Sequence, residues 1–123
     1  MLKISSILIG VSNLEKAKPF YEKVFGFVFD EFRPPFASVE FDGIEFNIEE
    51  NASTRDENWA KKNIGGRKNI SFETENLEEF LKVALENGAT IVKPSTNTPW
   101  KWRELIIADP DGNEFLVEQN LEK

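Results

Sequence analysis

At 123 residues, with 40% apolar and 30% charged side chains, the chain is sized for one domain and composed like an ordinary globular protein. Zero cysteines exclude disulfides and thiol chemistry, and zero histidines exclude imidazole as base, nucleophile partner or metal ligand. A net charge of −7 repels phosphate backbones, which argues against nucleic acid, and would attract a cationic small molecule; it serves equally well simply to keep the chain in solution.

No apolar run has membrane-spanning length, and Met1–Ile7 lacks the apolar core and cleavage pattern of a signal peptide. The expectation is a cytoplasmic protein with no membrane partner. Ile4 to Val11 alternates as a strand, with Ile7, Ile9 and Val11 on one face and Ser6, Leu8 and Gly10 on the other. Asn13 has the character of a helix N-cap, and Phe20, Tyr21, Val24 and Phe25 recur at helical spacing up to Gly26. Pro19 removes an interior hydrogen bond, so the helix is expected to be regular only from about Lys18. Tyr21 is expected in the core. Phe27-Val28-Phe29, Phe36 to Phe41 and Ile44 to Glu49 read as strands, the last two joined by a two-residue turn at Asp42-Gly43.

Residues 51–68 are polar and read as a linker, with one helical turn expected around Asp56 to Lys61 and Trp59 expected to pack rather than act as a lid. The pattern then restarts. Asn69 to Thr74 reads as a strand, and Asn76 with Glu79 makes a capping box. Leu77, Phe80, Leu81, Ala84 and Leu85 form the apolar stripe of a helix closed by Gly88. Thr90-Ile91-Val92 reads as a strand, and Trp102 to Ala108 with Glu114 to Glu118 as a hairpin. Its turn is Asp109-Pro110-Asp111-Gly112-Asn113, five residues that each favour tight turns. Asn13-Leu14-Glu15 recurs as Asn76-Leu77-Glu78, and Asp42-Gly43 as Asp111-Gly112. Both halves therefore read β-helix-β-β-β, with extra residues of the second half placed in a loop near Ser95 to Trp100.

Three stretches carry a resemblance: Val11 to Phe27, Glu86-Asn87-Gly88-Ala89, and the Asp109–Asn113 turn with its following strand. Together they resemble the vicinal-oxygen-chelate superfamily, which includes glyoxalase I, extradiol dioxygenases and bleomycin-resistance proteins. The resemblance implies an α+β fold of two tandem βαβββ modules forming an open, cupped eight-stranded sheet, helices outside and ligand inside. One domain is expected over 1–123, with module one about 1–50, the linker 51–68 and module two about 69–120. It also implies where metal ligands would stand: Ser6, Asn47, Asn69 and Leu116 occupy those four positions. None is ionisable and leucine cannot coordinate, so no metal and no cofactor are expected.

If Leu116 points into the cup, alternation sends Glu114 and Glu118 inward with it, and Phe115 and Val117 under the helices. The same logic turns Glu45, Asn47, Glu49, Asn69, Ser71 and Glu73 inward, where they form either an acidic pocket or a solvated rim. Trp100 and Trp102 offer faces for stacking on a cationic or flat ligand, or else cover the core or a dimer contact. An all-carboxylate cation site built from Glu73 with Glu118 or Glu49 has no support beyond facing.

Two functions remain open at this point. One is a metal-free, small-molecule-binding protein resembling the drug-sequestering, bleomycin-resistance branch, acting as a homodimer. Its expected ligand surface is Ser6, Asn47, Asn69, Glu73, Trp100, Trp102, Leu116 and Glu118. The other is a metal-independent, glyoxalase-like lyase or isomerase with Glu73 or Glu118 as base.

Overall fold

The computed structural model describes residues 1–50 and 59–123, apart from the side chains of 59 and 60. The chain divides into two compact units, Met1–Ile64 and Gly65–Lys123. Eight strands lie among the described residues, four in each unit's sheet, together with three helices.

In the first unit the elements are β1 (Ile7–Val11), α1 (Leu14–Val24), β2 (Glu31–Arg33), β3 (Phe36–Phe41), β4 (Ile44–Glu50) and α2 (Trp59–Asn63). The sheet order is β1-β4-β3-β2, with β1 parallel to β4 and the other pairs antiparallel. Asn13 caps α1 as expected, its side chain accepting from the Lys16 N–H at 2.9 Å. The Leu14 N–H is taken by Glu50 Oε2 at 3.2 Å, which ties the helix start to the end of β4. With two first-turn donors satisfied, the helix begins at Leu14 and runs through Pro19, not from about Lys18 as the proline suggested. A proline costs one bond, and the buried stripe of Leu14, Ala17, Phe20, Tyr21 and Val24 outweighs it.

The expected strand at Phe27-Val28-Phe29 does not form; pairing starts at Glu31 instead. Phe27 is drawn out of any ladder into a cluster of rings, 5.0 Å from Phe41, 5.2 Å from Phe46 and 5.8 Å from Tyr21. Asp42 and Gly43 both hold positive φ, at 52° and 76°, as the two-residue hairpin turn demands. The expected helical turn at Asp56 to Lys61 falls partly outside the described residues, and α2 is the part described.

In the second unit the elements are β5 (Gly66–Glu73), α3 (Leu77–Glu86), β6 (Thr90–Asn97), β7 (Trp102–Ala108) and β8 (Asn113–Asn120), in sheet order β5-β8-β7-β6. The wiring of the first unit returns here. Asn76 Oδ1 accepts from the Glu79 N–H at 3.1 Å, and Gln119 Oε1, on the last strand, accepts from the Leu77 N–H at 2.9 Å. Of the apolar stripe only Leu77 and Ala84 are buried, and Leu85 is exposed. The strand β5 starts three residues earlier than Asn69, and β6 extends through Pro94 to Asn97, into the stretch expected to be loop. A proline is tolerated there because β6 is an edge strand, paired only with β7.

The Asp109–Asn113 turn is a buried polar knot. Asp109 Oδ1 accepts from the Asp111 and Asn113 N–H groups at 2.9 and 2.8 Å, and Asp109 Oδ2 from Asn113 Nδ2 at 2.8 Å. Asn113 Oδ1 accepts from the Gly65 N–H at 2.8 Å, and the Gly66 N–H donates to the Gly112 carbonyl at 2.9 Å. Gly65 lies against the turn with φ +81°, a backbone conformation that favours glycine. The two glycines that read as linker thus moor β5 to the hairpin. No described helix is long and apolar enough to cross a membrane.

Candidate functional site

Each sheet has one face under its helix and one opposite. On β4, Phe46 and Ile48 are buried on the helix side, so Glu45, Asn47 and Glu49 face away, as alternation requires. The register sets Leu8, Asn47, Ser38 and Glu31 in one row across that open face. Asn47 Nδ2 donates to Ser6 Oγ at 3.2 Å, so the two superfamily ligand positions of this unit are bonded to each other. Glu49 is only 4% exposed, whereas Glu45 lies in solvent opposite Glu40.

On the second sheet, Phe115, Val117, Leu105 and Ile107 are buried on the helix side. Ser71, Leu116 and Ile106 make one row on the open face, and Glu73, Glu118 and Glu104 the next. Asn120 and Trp102 follow. Glu73, Leu116 and Glu118 therefore share one face, as alternation along the strands suggested, and Trp102 joins them there. Trp102 is half-buried at the start of β7; Trp100 is 64% exposed in the turn between β6 and β7, off the strand face. Asn69 is exposed and, with Arg67, Lys68, Ile70, Ser71 and Leu116, lines an open concavity of about 300 Å³. A second concavity, about 270 Å³, is lined by Glu73, Thr74, Glu75, Asn120 and Lys123.

Burial raises the Glu118 carboxyl above the ordinary glutamate range, and Glu104 and Glu73 raise it further by like charge. Lys123 Nζ pairs with Glu73 at 3.3 Å and Lys93 Nζ with Glu104 at 3.7 Å, both in partly exposed positions. Because folding raises its pKa, Glu118 favours the fold fully only below the ordinary glutamate range, and that support is lost as pH rises through the folded value. Glu118→Gln is accordingly expected to stabilise the protein at neutral pH by about 0.5 kcal/mol, the scale of a half-solvated cross-strand like-charge pair. The gain should vanish in acid. Melting curves at pH 7 and pH 4 check this, and a variant less stable than the parent at pH 7 would refute it.

On Lys68 burial acts the other way, lowering the amine's pKa, with Asp109 opposing by attraction. Lys68 Nζ also donates to the Gly65 carbonyl at 3.0 Å. Sequence reasoning missed Lys68 because it counted as linker, and no periodicity marks it. It also missed Leu8, Ser38, Glu104 and Ile106; strict alternation along β7 from Trp102 would have found the last two.

The resemblance implies a divalent metal, and the donor set does not fit one. Ser6 and Asn47 are neutral and engaged with each other, Asn69 is a neutral amide, and Leu116 has no donor atom. Among the described residues no group of three carboxylates stands close enough to hold a metal ion.

The model of the Glyoxalase/Bleomycin resistance protein/Dioxygenase superfamily matches residues 3–117, and the chain belongs to that superfamily. A probable trivalent organoarsenical cleaving enzyme of Bacillus subtilis (strain 168) is 30% identical over 98% of this chain and 84% of its own length. The crystal structure of a superfamily member from Sphaerobacter thermophilus DSM 20745 is 32% identical, with a TM-score of 0.74 over 97% of this chain and 98% of that one. TnmS3, an antibiotic binding protein from Streptomyces sp. CB03234, shares the fold at a TM-score of 0.70 and 22% identity, over 98% of this chain and 97% of its own.

Proposed function

We propose that this chain is a metal-free, small-molecule-binding member of its superfamily, in the manner of the drug-sequestering proteins. The observation that carries the reading is the exchange of every metal-ligand position for Ser6, Asn47, Asn69 and Leu116, the first two bonded to one another. TnmS3, an antibiotic binding protein that shares the fold, supports it. The activity named for the Bacillus subtilis relative is a poorer model for this chain. Trivalent arsenic is a soft centre that seeks thiolates, and this chain has no cysteine.

The ligand of this reading is cationic and aromatic. The Glu73–Glu118–Glu104 row supplies negative charge in a partly shielded setting, and Trp102 supplies a ring on the same face. A cytoplasmic homodimer belongs to the same reading, since both sheets carry edge strands that a second copy would cover. The raised Glu118 carboxyl favours the second reading, a metal-independent lyase or isomerase with that residue as base.

Aromatic amines such as benzylamine are expected to raise the melting temperature, by about 2.7 kcal/mol of stabilisation at a hundredfold excess over the dissociation constant. Neutral isosteres such as benzyl alcohol should not. The effect should weaken with salt, and Glu118→Gln should reduce it more than Glu22→Gln on the exposed side of α1. Equal shifts from amine and alcohol, or amine binding indifferent to Glu118→Gln, would overturn the acidic-face reading.

A further inference from the structure

We propose that the concavity beside Asn69 is a carboxylate-binding subsite, and that the ligand is zwitterionic, with its carboxylate at Lys68 and its cation at the Glu73–Glu118–Glu104 row. The cationic half rests on the function proposed above; the carboxylate half stands on separate residues.

The concavity arises from an irregularity of β5. Arg67 pairs with Glu114 and Ser71 with Leu116, and between these pairs β5 spends more residues than β8. Lys68, Asn69 and Ile70 thus leave the paired register, as bulged residues do, and all three line the concavity. What it gathers is the chemistry of an oxyanion site with an apolar floor. Lys68 brings an ammonium, Asn69 an amide and Ser71 a hydroxyl, while Ile70 and Leu116 supply hydrocarbon. Arg67 adds a second cation, held against Glu114 at 3.3 Å. In a chain of net charge −7, two adjacent cations line this one hollow, each with a carboxylate of its own nearby, Glu114 for Arg67 and Asp109 for Lys68.

The volume, about 300 Å³, is that of a small ligand group. Position fixes the rest of the ligand. Ser71, which lines the concavity, and Glu73 lie two residues apart on one strand face, about 7 Å, so the edge of the concavity is about one aromatic ring from the acidic row. Lys68 and Asn69 are sequence neighbours, and both line this concavity.

Three probes of matched shape separate the claims: benzoate, benzylamine and para-(aminomethyl)benzoate, which carries both charges on opposite ends of one ring. Amide chemical shifts of the isotope-labelled chain give the place of binding, and titration gives the affinity. Benzoate should move the amides of Lys68 to Ser71, and para-(aminomethyl)benzoate should bind about tenfold more tightly than benzylamine. Lys68→Met should erase that tenfold gain and Lys68→Arg should keep most of it; Lys101→Met, at an exposed lysine paired with Glu122, should change nothing.

Benzoate that leaves the amides of Lys68 to Ser71 unmoved in the parent chain overturns the subsite, and needs no variant to do so. A gain that survives Lys68→Met overturns the role of that amine. Benzoate bound at these amides while benzylamine fails to bind leaves the subsite standing and removes the cationic half together with the acidic-face reading.

Discussion

Replacing Asn113 by alanine is expected to cost about 3 kcal/mol, since losing a buried hydrogen bond costs roughly 1–3 kcal/mol and two are lost here, one to Asp109 and one from Gly65. Asn113 has no exposed surface. Its Nδ2 donates to Asp109 Oδ2 at 2.8 Å, and its Oδ1 accepts from the Gly65 N–H at 2.8 Å. Asp109 is itself only 3% exposed, so the donor is lost from a carboxylate shielded from bulk water. On the scale of a domain this size the melting temperature should fall by roughly 12 °C. Asn113→Asp conserves shape but sets a second carboxylate against Asp109, and should cost at least as much at neutral pH. Asn120→Ala, whose side chain accepts an exposed Glu122 N–H at 2.9 Å, should stay within about 0.5 kcal/mol. Urea unfolding of the three variants decides; a loss below about 1 kcal/mol for Asn113→Ala would mean that water replaces the missing amide.

That knot also shows what could be read in the sequence and what could not. Asp109 to Asn113 announced a turn, because each residue there carries its own local reason to turn. Asn13 and Asn76 announced helix starts for the same kind of reason, and both cap as expected. Local chemistry of this sort is legible because its causes lie within a few residues. Gly65 and Gly66 read as linker because nothing nearby says that the Gly65 N–H will meet Asn113 and the Gly66 N–H the Gly112 carbonyl. The bulge that follows, which gathers Lys68 and Asn69 into the concavity, depends on the register against β8 and so was equally invisible. Faces fared better than boundaries. A period of two carries Leu116 and Glu118 to the open side and Phe115 and Val117 to the core wherever the strand happens to begin. Glu49 faces the open side as expected and is nevertheless buried, which alternation alone does not foresee.

Phe27→Ala is expected to cost more than any other single truncation of the first unit's core, about 3–5 kcal/mol. The sequence offered Phe27 as a strand residue, because aromatic residues favour strands and Phe27-Val28-Phe29 looks like a short one. Tertiary packing overrides that preference. Five aromatic rings stand around Phe27: Tyr21 and Phe25 at 5.8 Å, Phe29 at 6.3 Å, Phe41 at 5.0 Å and Phe46 at 5.2 Å between centroids. They come from α1, from the connection after it, and from β3 and β4, so this one ring joins helix to sheet. Its neighbours are themselves fixed by strand register and helix packing, and cannot collapse far into the space left behind; the cavity penalty therefore adds to the lost transfer energy. Phe27→Leu should recover more than half of the loss, because hydrocarbon volume matters more here than ring geometry. Val28→Ala, at a neighbouring side chain that is 79% exposed, should change stability by no more than about 0.5 kcal/mol. Chemical denaturation with an unchanged m-value would assign the loss to the native state. If Phe27→Ala costs no more than Val28→Ala, the segment is held by its backbone bonds, such as Asp30 N–H to the Ser38 carbonyl at 2.9 Å, and not by the ring.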